Sequence, residues 1–156
     1  MYFEDGSIYD YKLKHPFTLI KNIGWLDSKH PYTQGSVSEE FLMKLSSVLF
    51  KRGSCEPTFN IIRGTHRCNL CNETEVCIYQ SQSGNSKRLG GSEILIPNVV
   101  GEGYFASPSM IYHYIAKHSY MPPRDYIDSV LNFDLTQQFN AEELYTKLVD
   151  DSYNNK

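Results

Sequence analysis

His66, Cys68 and Cys71 follow one another as H-x-C-x2-C within six residues. Thiolate sulfur and imidazole nitrogen are the donors that tetrahedral zinc prefers, at about 2.0–2.3 Å, and a Cys-x2-Cys turn is tight enough to offer two thiolates to one metal. If the segment entering that turn is extended, His66 and Cys68 share a face, because strand side chains repeat every two residues. Three donors would then converge locally, and a fourth must come from elsewhere. Cys77 could close a local knuckle, but Val76-Cys77-Ile78-Tyr79 reads as a strand, where a buried cysteine behaves as a small hydrophobe. Cys55 precedes Glu56-Pro57 and reads as a loop thiol. His113 projects about 130° away from the apolar stripe of its helix at 100° per residue, whereas His118 falls in the middle of that stripe. A histidine on an apolar face is more often a hydrogen-bonded core residue, so His113 is the favoured fourth ligand and His118 the alternative.

A site closed by four protein ligands is structural, while one that keeps a water is catalytic. Catalysis would need a carboxylate aimed at the metal as general base. The chain has no H-E-x-x-H and no H-x-E paired with P-C-x-x-C, and nothing in the spacing aims Glu73 or Glu75. The Gly90-Gly91 turn lacks the G-x-G-x-x-G and phosphate-loop patterns, so no nucleotide site is implied. The structural reading is therefore preferred to an open zinc site in a hydrolase or nuclease.

The elements that must position these residues are marked by periodicity and punctuation. Ser36-Val37-Ser38-Glu39 has the form of a capping box, before Phe41, Leu42, Leu45, Val48 and Leu49 at helical spacing, with Gly53 as C-cap. Strands are expected at Thr58–Arg63, Glu75–Tyr79, Glu93–Ile96 and Tyr104–Ala106, with 81–86 a polar connection. Ser107 as N-cap and Pro108 at the first helical position should open a helix through Met110, Ile111, Tyr114 and Ile115. Pro122-Pro123 ends it and starts another, and Asn140-Ala141-Glu142-Glu143 caps a last one. Trp25 reads as a core anchor whose indole N–H needs a partner if buried. The whole is expected to be one α+β domain over residues 1–150, with a small antiparallel sheet, three to four helices and one structural zinc site, followed by a frayed tail at 151–156.

The 156 residues suit a single domain, and 40% apolar with 21% charged residues describe an ordinary globular chain. No apolar run reaches membrane-spanning length, and the N-terminal residues lack a secretory pattern. A cytoplasmic setting is expected, in which four cysteines are ligands or buried thiols and not disulfides. A net charge of −3 argues against bulk nucleic-acid binding, and thus against a nucleic-acid-binding zinc module. From Arg124 onward acidic residues outnumber basic ones, a balance that suits a solvated helix face or a basic protein partner.

Several blocks together resemble an uncharacterised family of small bacterial proteins. They are Gly24-Trp25-Leu26-Asp27 with His30 and Gly35, then Arg63 to Cys71, then Gly90-Gly91-Ser92-Glu93-Ile94. The longest runs from Tyr104 through Ser107-Pro108, Ile111-Tyr112-His113-Tyr114-Ile115, His118, Tyr120, Pro122-Pro123 and Tyr126. The resemblance implies that the H-x-C-x2-C element is paired with His113, giving His66, Cys68, Cys71 and His113 as Zn2+ ligands. It brings no established activity, and Cys55 and Cys77 stand outside its pattern. The expected function is a non-catalytic cytosolic zinc protein that binds another protein. Its specific form would be an immunity protein neutralising a basic toxin domain.

Overall fold

The computed structural model describes residues 1–10, 19–62, 66–71, 73, 75–80 and 84–154, the last three of these as helix backbone. In chain order the elements are β1 (Ile20–Asn22), α1 (Glu39–Phe50), β2 (Cys55–Glu56), β3 (Thr58–Phe59), β4 (Cys77–Gln80) and β5 (Asn85–Arg88). Then come β6 (Glu93–Pro97), β7 (Tyr104–Pro108), α2 (Ile111–His118), α3 (Arg124–Leu131), β8 (Phe139–Asn140) and α4 (Ala141–Asn154). The α+β class follows directly. The central sheet has the order β1-β7-β6-β3, and β2 pairs with β8 while β4 and β5 form a hairpin.

The sheet is mixed, not purely antiparallel. β7 runs antiparallel to β6 and β6 to β3, but β1 lies parallel to β7 with Ile20 opposite Tyr104 and Asn22 opposite Ala106. A parallel neighbour needs a long crossover, and the eighty-odd residues between β1 and β7 supply it. Both faces of β6 and β7 are covered. Ile94, Ile96 and Phe105 join the core formed with Phe41, Leu45, Val48 and Leu49 of α1 and Tyr126 and Val130 of α3. Leu95 and Ala106 turn to the other face, against Tyr9, Ile20, Phe59 and the α4 residues Ala141 and Tyr145. Burial on both sides explains why Glu93–Ile96 reads as a continuous apolar run without alternation.

The helix ends show which local signals won. Ser38, two residues later than expected, is the N-cap of α1, its hydroxyl accepting from the Phe41 N–H at 3.1 Å. Asn140 does cap α4, accepting from the Glu143 N–H at 2.9 Å. Ser107-Pro108 does not open α2. Ser107 pairs with Ile94 and Pro108 with Glu93, so both finish β7, and α2 starts only at Ile111. Proline is tolerated there because β1 reaches only as far as Ala106, leaving no ladder bond for the missing N–H to break. β3 is shorter than predicted: Asn60 turns to φ +51° and gives its N–H to the Glu142 carboxylate at 2.8 Å. Trp25 is half-buried, and its indole donates to the Ala106 carbonyl at 3.1 Å.

β1 is held against β7 at a point that tolerates only glycine. Gly103 has φ +86°, and a Cβ there would collide with the Leu19 backbone that accepts the Tyr104 N–H. Gly103→Ala is therefore expected to destabilise the fold by about 2 kcal/mol or more, from left-handed strain plus a main-chain shift. Urea unfolding of both forms measures it, and an unchanged midpoint would contradict the assigned backbone.

Candidate metal centre

The loop that carries the cysteines is anchored from both sides before any metal is considered. The His66 N–H donates to Gly90 O at 2.9 Å and the Ile62 N–H to Gly91 O at 2.9 Å. Gly90 in turn donates its N–H to the Ser109 hydroxyl at 2.8 Å, directly ahead of α2. Gly90 sits at φ +93°, and a Cβ on it would run into the His66 carbonyl oxygen, so glycine is required for the loop to approach this closely. The chain thereby lays residues 66–71 along the start of α2, and the rest of that helix brings its histidines past them.

Four donors meet there. The Sγ atoms of Cys68 and Cys71 and one ring nitrogen each of His113 and His118 all lie within 4.8 Å of one another. Cys68 Sγ is 3.4 Å from His118 Nε2, and Cys71 Sγ is 3.5 Å from His113 Nε2. A tetrahedral ion with bonds of about 2.0–2.3 Å sets its donor atoms roughly 3.3–3.8 Å apart, which is the separation these two edges show. The two imidazole centroids are 5.0 Å apart with their planes at 76°. Ligation through Nε2 would leave the ring proton on Nδ1 in both histidines.

The electrostatics favour ligation over protonation at the histidines. Burial is the largest cause holding the His113 pKa below its ordinary value, with His118 and Lys117 adding to it against Glu73. Burial and Lys117 do the same to His118. Neutral imidazole is the form that binds a metal. Cys68 is pushed the other way: burial raises its thiol pKa and neighbouring Cys71 adds to the rise, opposed by the Leu70 N–H. That N–H points at the Cys68 sulfur from 3.4 Å, the type of backbone donor that supports a thiolate once a metal has displaced its proton.

The structure gathers Cys68, Cys71 and His113, as sequence reading anticipates, but not His66. His66 is exposed and serves the loop through its backbone, while Cys68 is 3% exposed. The shared face calls for an extended approach to the turn; residues 66–68 belong to no strand, and residues 63–65 ahead of them lie outside the described residues. His118 takes the place in the cluster assigned to His66. It is the last residue of α2, where Ser119 turns to φ +55° and the helix stops. The signal was available: Cys68-x2-Cys71 with His113-x4-His118 has the C-x2-C and H-x3–5-H spacings of two-cysteine, two-histidine zinc sites, although 41 residues separate the halves instead of a short finger. Cys55 is buried in β2 and Cys77 exposed on β4, both outside the cluster. Glu73 lies 3.7 Å from the Lys117 ammonium and Glu75 2.9 Å from Arg88.

Residues 1–131 match a family described as a domain of unknown function, DUF7919, and the chain belongs to that family. No curated protein and no solved structure matches the chain. All four donors fall inside the matched region, whereas α4 lies beyond it.

Exchanging single histidines separates the two ligand sets. His118→Ala should weaken zinc binding by on the order of 100-fold or more by removing a first ligand, and His66→Ala should leave it unchanged. Competition against a calibrated zinc chelator reads both, and the reverse ranking would restore His66 to the site.

Proposed function

Starting from membership of a family without an assigned activity, we propose that this chain is a non-catalytic binding module whose fold is closed by one Zn2+ ion. The ion is held by Cys68, Cys71, His113 and His118. The observation that carries the reading is the convergence of two sulfurs and two imidazole nitrogens within 4.8 Å of one another, two of their separations matching those around a tetrahedral ion. Soft and borderline donors in a four-coordinate S2N2 set select zinc over the oxygen-seeking divalent ions. Four protein ligands leave no position for an activated water, and each of the nearby carboxylates Glu73 and Glu75 faces a cationic side chain. An open-site hydrolase or nuclease is correspondingly disfavoured.

The role of the ion is mechanical. It ties the end of α2 to the Cys68–Cys71 turn, whose loop is held near the start of that helix by hydrogen bonds through Gly90 and Ser109. The partner reading rests on α4, whose exposed Glu142, Glu143 and Asp150 outnumber the exposed Lys147 beside them. A basic protein, such as a toxin domain neutralised by an immunity protein, is the complement that such a face would steer.

Metal removal tests the proposal. The purified chain should contain one zinc per molecule. EDTA should lower its melting temperature by on the order of 10 °C, and zinc should restore it. Cobalt substitution should give the visible spectrum of a tetrahedral site with thiolate ligands. Chain that is metal-empty and melts identically with and without EDTA would refute the reading.

Acidification has a defined sign. All four donors must be deprotonated to ligate, so zinc affinity should fall steadily as the pH is lowered from about 7.5 to about 5.5. With His113 and His118 held below the ordinary imidazole value, the metal-free fold should also lose stability as the pH drops beneath about 6.5, where the unfolded chain takes up protons first. Zinc-release titration and melting of the EDTA-treated chain across this range check the two effects.

A further inference from the structure

The two sulfurs of the donor cluster are not equally sheltered. Cys68 is 3% exposed and lies 3.4 Å from His118 Nε2, whereas Cys71 is half-buried and lies 3.5 Å from His113 Nε2. His113 in turn lines a groove of about 450 Å³ between α2 and β4, together with Tyr112, Lys117 and Glu73. Cys68 and His118 do not line it. A small polar solute in this groove therefore approaches the cluster from the side of His113 and Cys71.

The thiolate is the form of cysteine that attacks peroxides, and accessibility decides which thiolate reacts. A metal that holds both sulfurs keeps both deprotonated. The sulfurs lie within 4.8 Å of one another, on cysteines with the C-x2-C spacing of dithiols that close to a disulfide. Their loop is fixed by hydrogen bonds from His66 to Gly90 and from Gly90 to Ser109, none of which needs a metal. The pair thus stays adjacent when the ion leaves.

Resting on the zinc reading, we propose that Cys71 and Cys68 are a site of oxidation by hydroperoxides, with Cys71 the thiolate attacked and Cys68 the one that resolves it. With hydrogen peroxide, the Cys71 sulfur forms an S–O bond as the O–O bond breaks and hydroxide departs, leaving a sulfenic acid. The Cys68 thiolate then attacks that sulfur; an S–S bond forms, the S–O bond breaks and a second hydroxide leaves. The two sulfurs together give two electrons to the peroxide, and solvent protons convert both hydroxides to water. The ion is left with two imidazoles and dissociates. Arg67 and Asn69, on either side of Cys68, line a cavity of about 160 Å³ with Trp25, Met110 and Tyr114, so closure of the disulfide reaches the surroundings of the one tryptophan.

Zinc content of the untreated chain is measured first. Peroxide should then release one zinc per chain, read with a chromogenic chelator. Release should run in step with a mass loss of two hydrogens, mapped to a peptide linking Cys68 to Cys71, and with a change in Trp25 emission. Dithiothreitol with added zinc should reverse all three. Dimedone present during oxidation should label Cys71. Cys77→Ser, which removes the exposed thiol of the groove, should leave zinc release unchanged. Chain without zinc at the outset would refute the zinc reading and this proposal with it. Zinc-loaded chain that keeps its metal under peroxide, loses it only by irreversible over-oxidation, or carries the dimedone on Cys68 would overturn this proposal and leave the zinc reading standing.

Discussion

The closure between the Cys68–Cys71 turn and the far end of α2 is the constraint on which this part of the molecule depends. On one side of it stand residues 66–71, which belong to no helix or strand; on the other is an eight-residue helix with no side-chain cap at its N-terminus. Neither element is stable alone, since isolated helices this short are marginal in water. Hydrogen bonds through Gly90 and Ser109 join them at the helix start. At the helix end the four donors meet beside the ion pair of Glu73 with Lys117 at 3.7 Å. A metal bonded there would make the two segments one rigid bracket.

This bracket rests on what makes the chain globular: Cys68, Ile111, Tyr114 and Ile115 join the same buried cluster as Phe41 and Tyr126. The sheet, α1 and α3 bury Phe41, Leu45, Leu49, Ile94, Phe105 and Tyr126 almost completely, and α4 seals the opposite face with Ala141 and Tyr145. A zinc finger without such a core unfolds outright when its metal is removed. Here the core persists under the bracket, so metal loss should loosen the loop, the hairpin behind it and α2 before the rest. Stability distributed in this way is the usual pattern of partially independent units within one domain.

Much of this was legible in the sequence where one local rule acted without competition. The Cys-x2-Cys turn, the Asn140 cap and the apolar run of β6 each follow from a few neighbouring residues. The misreadings arise where a distant element overrides a local signal. Ser107-Pro108 has a helix-start pattern, yet pairing with β6 keeps it in a strand, and only the shortness of β1 makes proline acceptable there. His118 lies on the apolar stripe of α2 and reads as a core histidine. It is five residues, about 140° of ideal helix, from His113, so a helical wheel does not bring the two together. They meet because α2 stops at His118 and the loop packs over that end. His66 stands apart because its backbone serves the loop, donating to Gly90, while its side chain is exposed.

The glycine at position 90 shows how closely the two halves of the site are coupled. Its left-handed backbone lets the His66 carbonyl approach where any side chain would obstruct it, and its N–H reaches the Ser109 hydroxyl at the mouth of α2. One residue thus sets the distance from loop to helix on which both the donor cluster and the neighbouring cavity rely. A main-chain displacement of even a few tenths of an ångström there moves Cys68 relative to His118, and a metal with fixed bond lengths tolerates little of it. It also moves Arg67 and Asn69, the loop side of the cavity, toward or away from Met110 and Tyr114. Because Arg67 and Asn69 share a main chain with Cys68, the cavity wall and the donor cluster cannot be positioned independently.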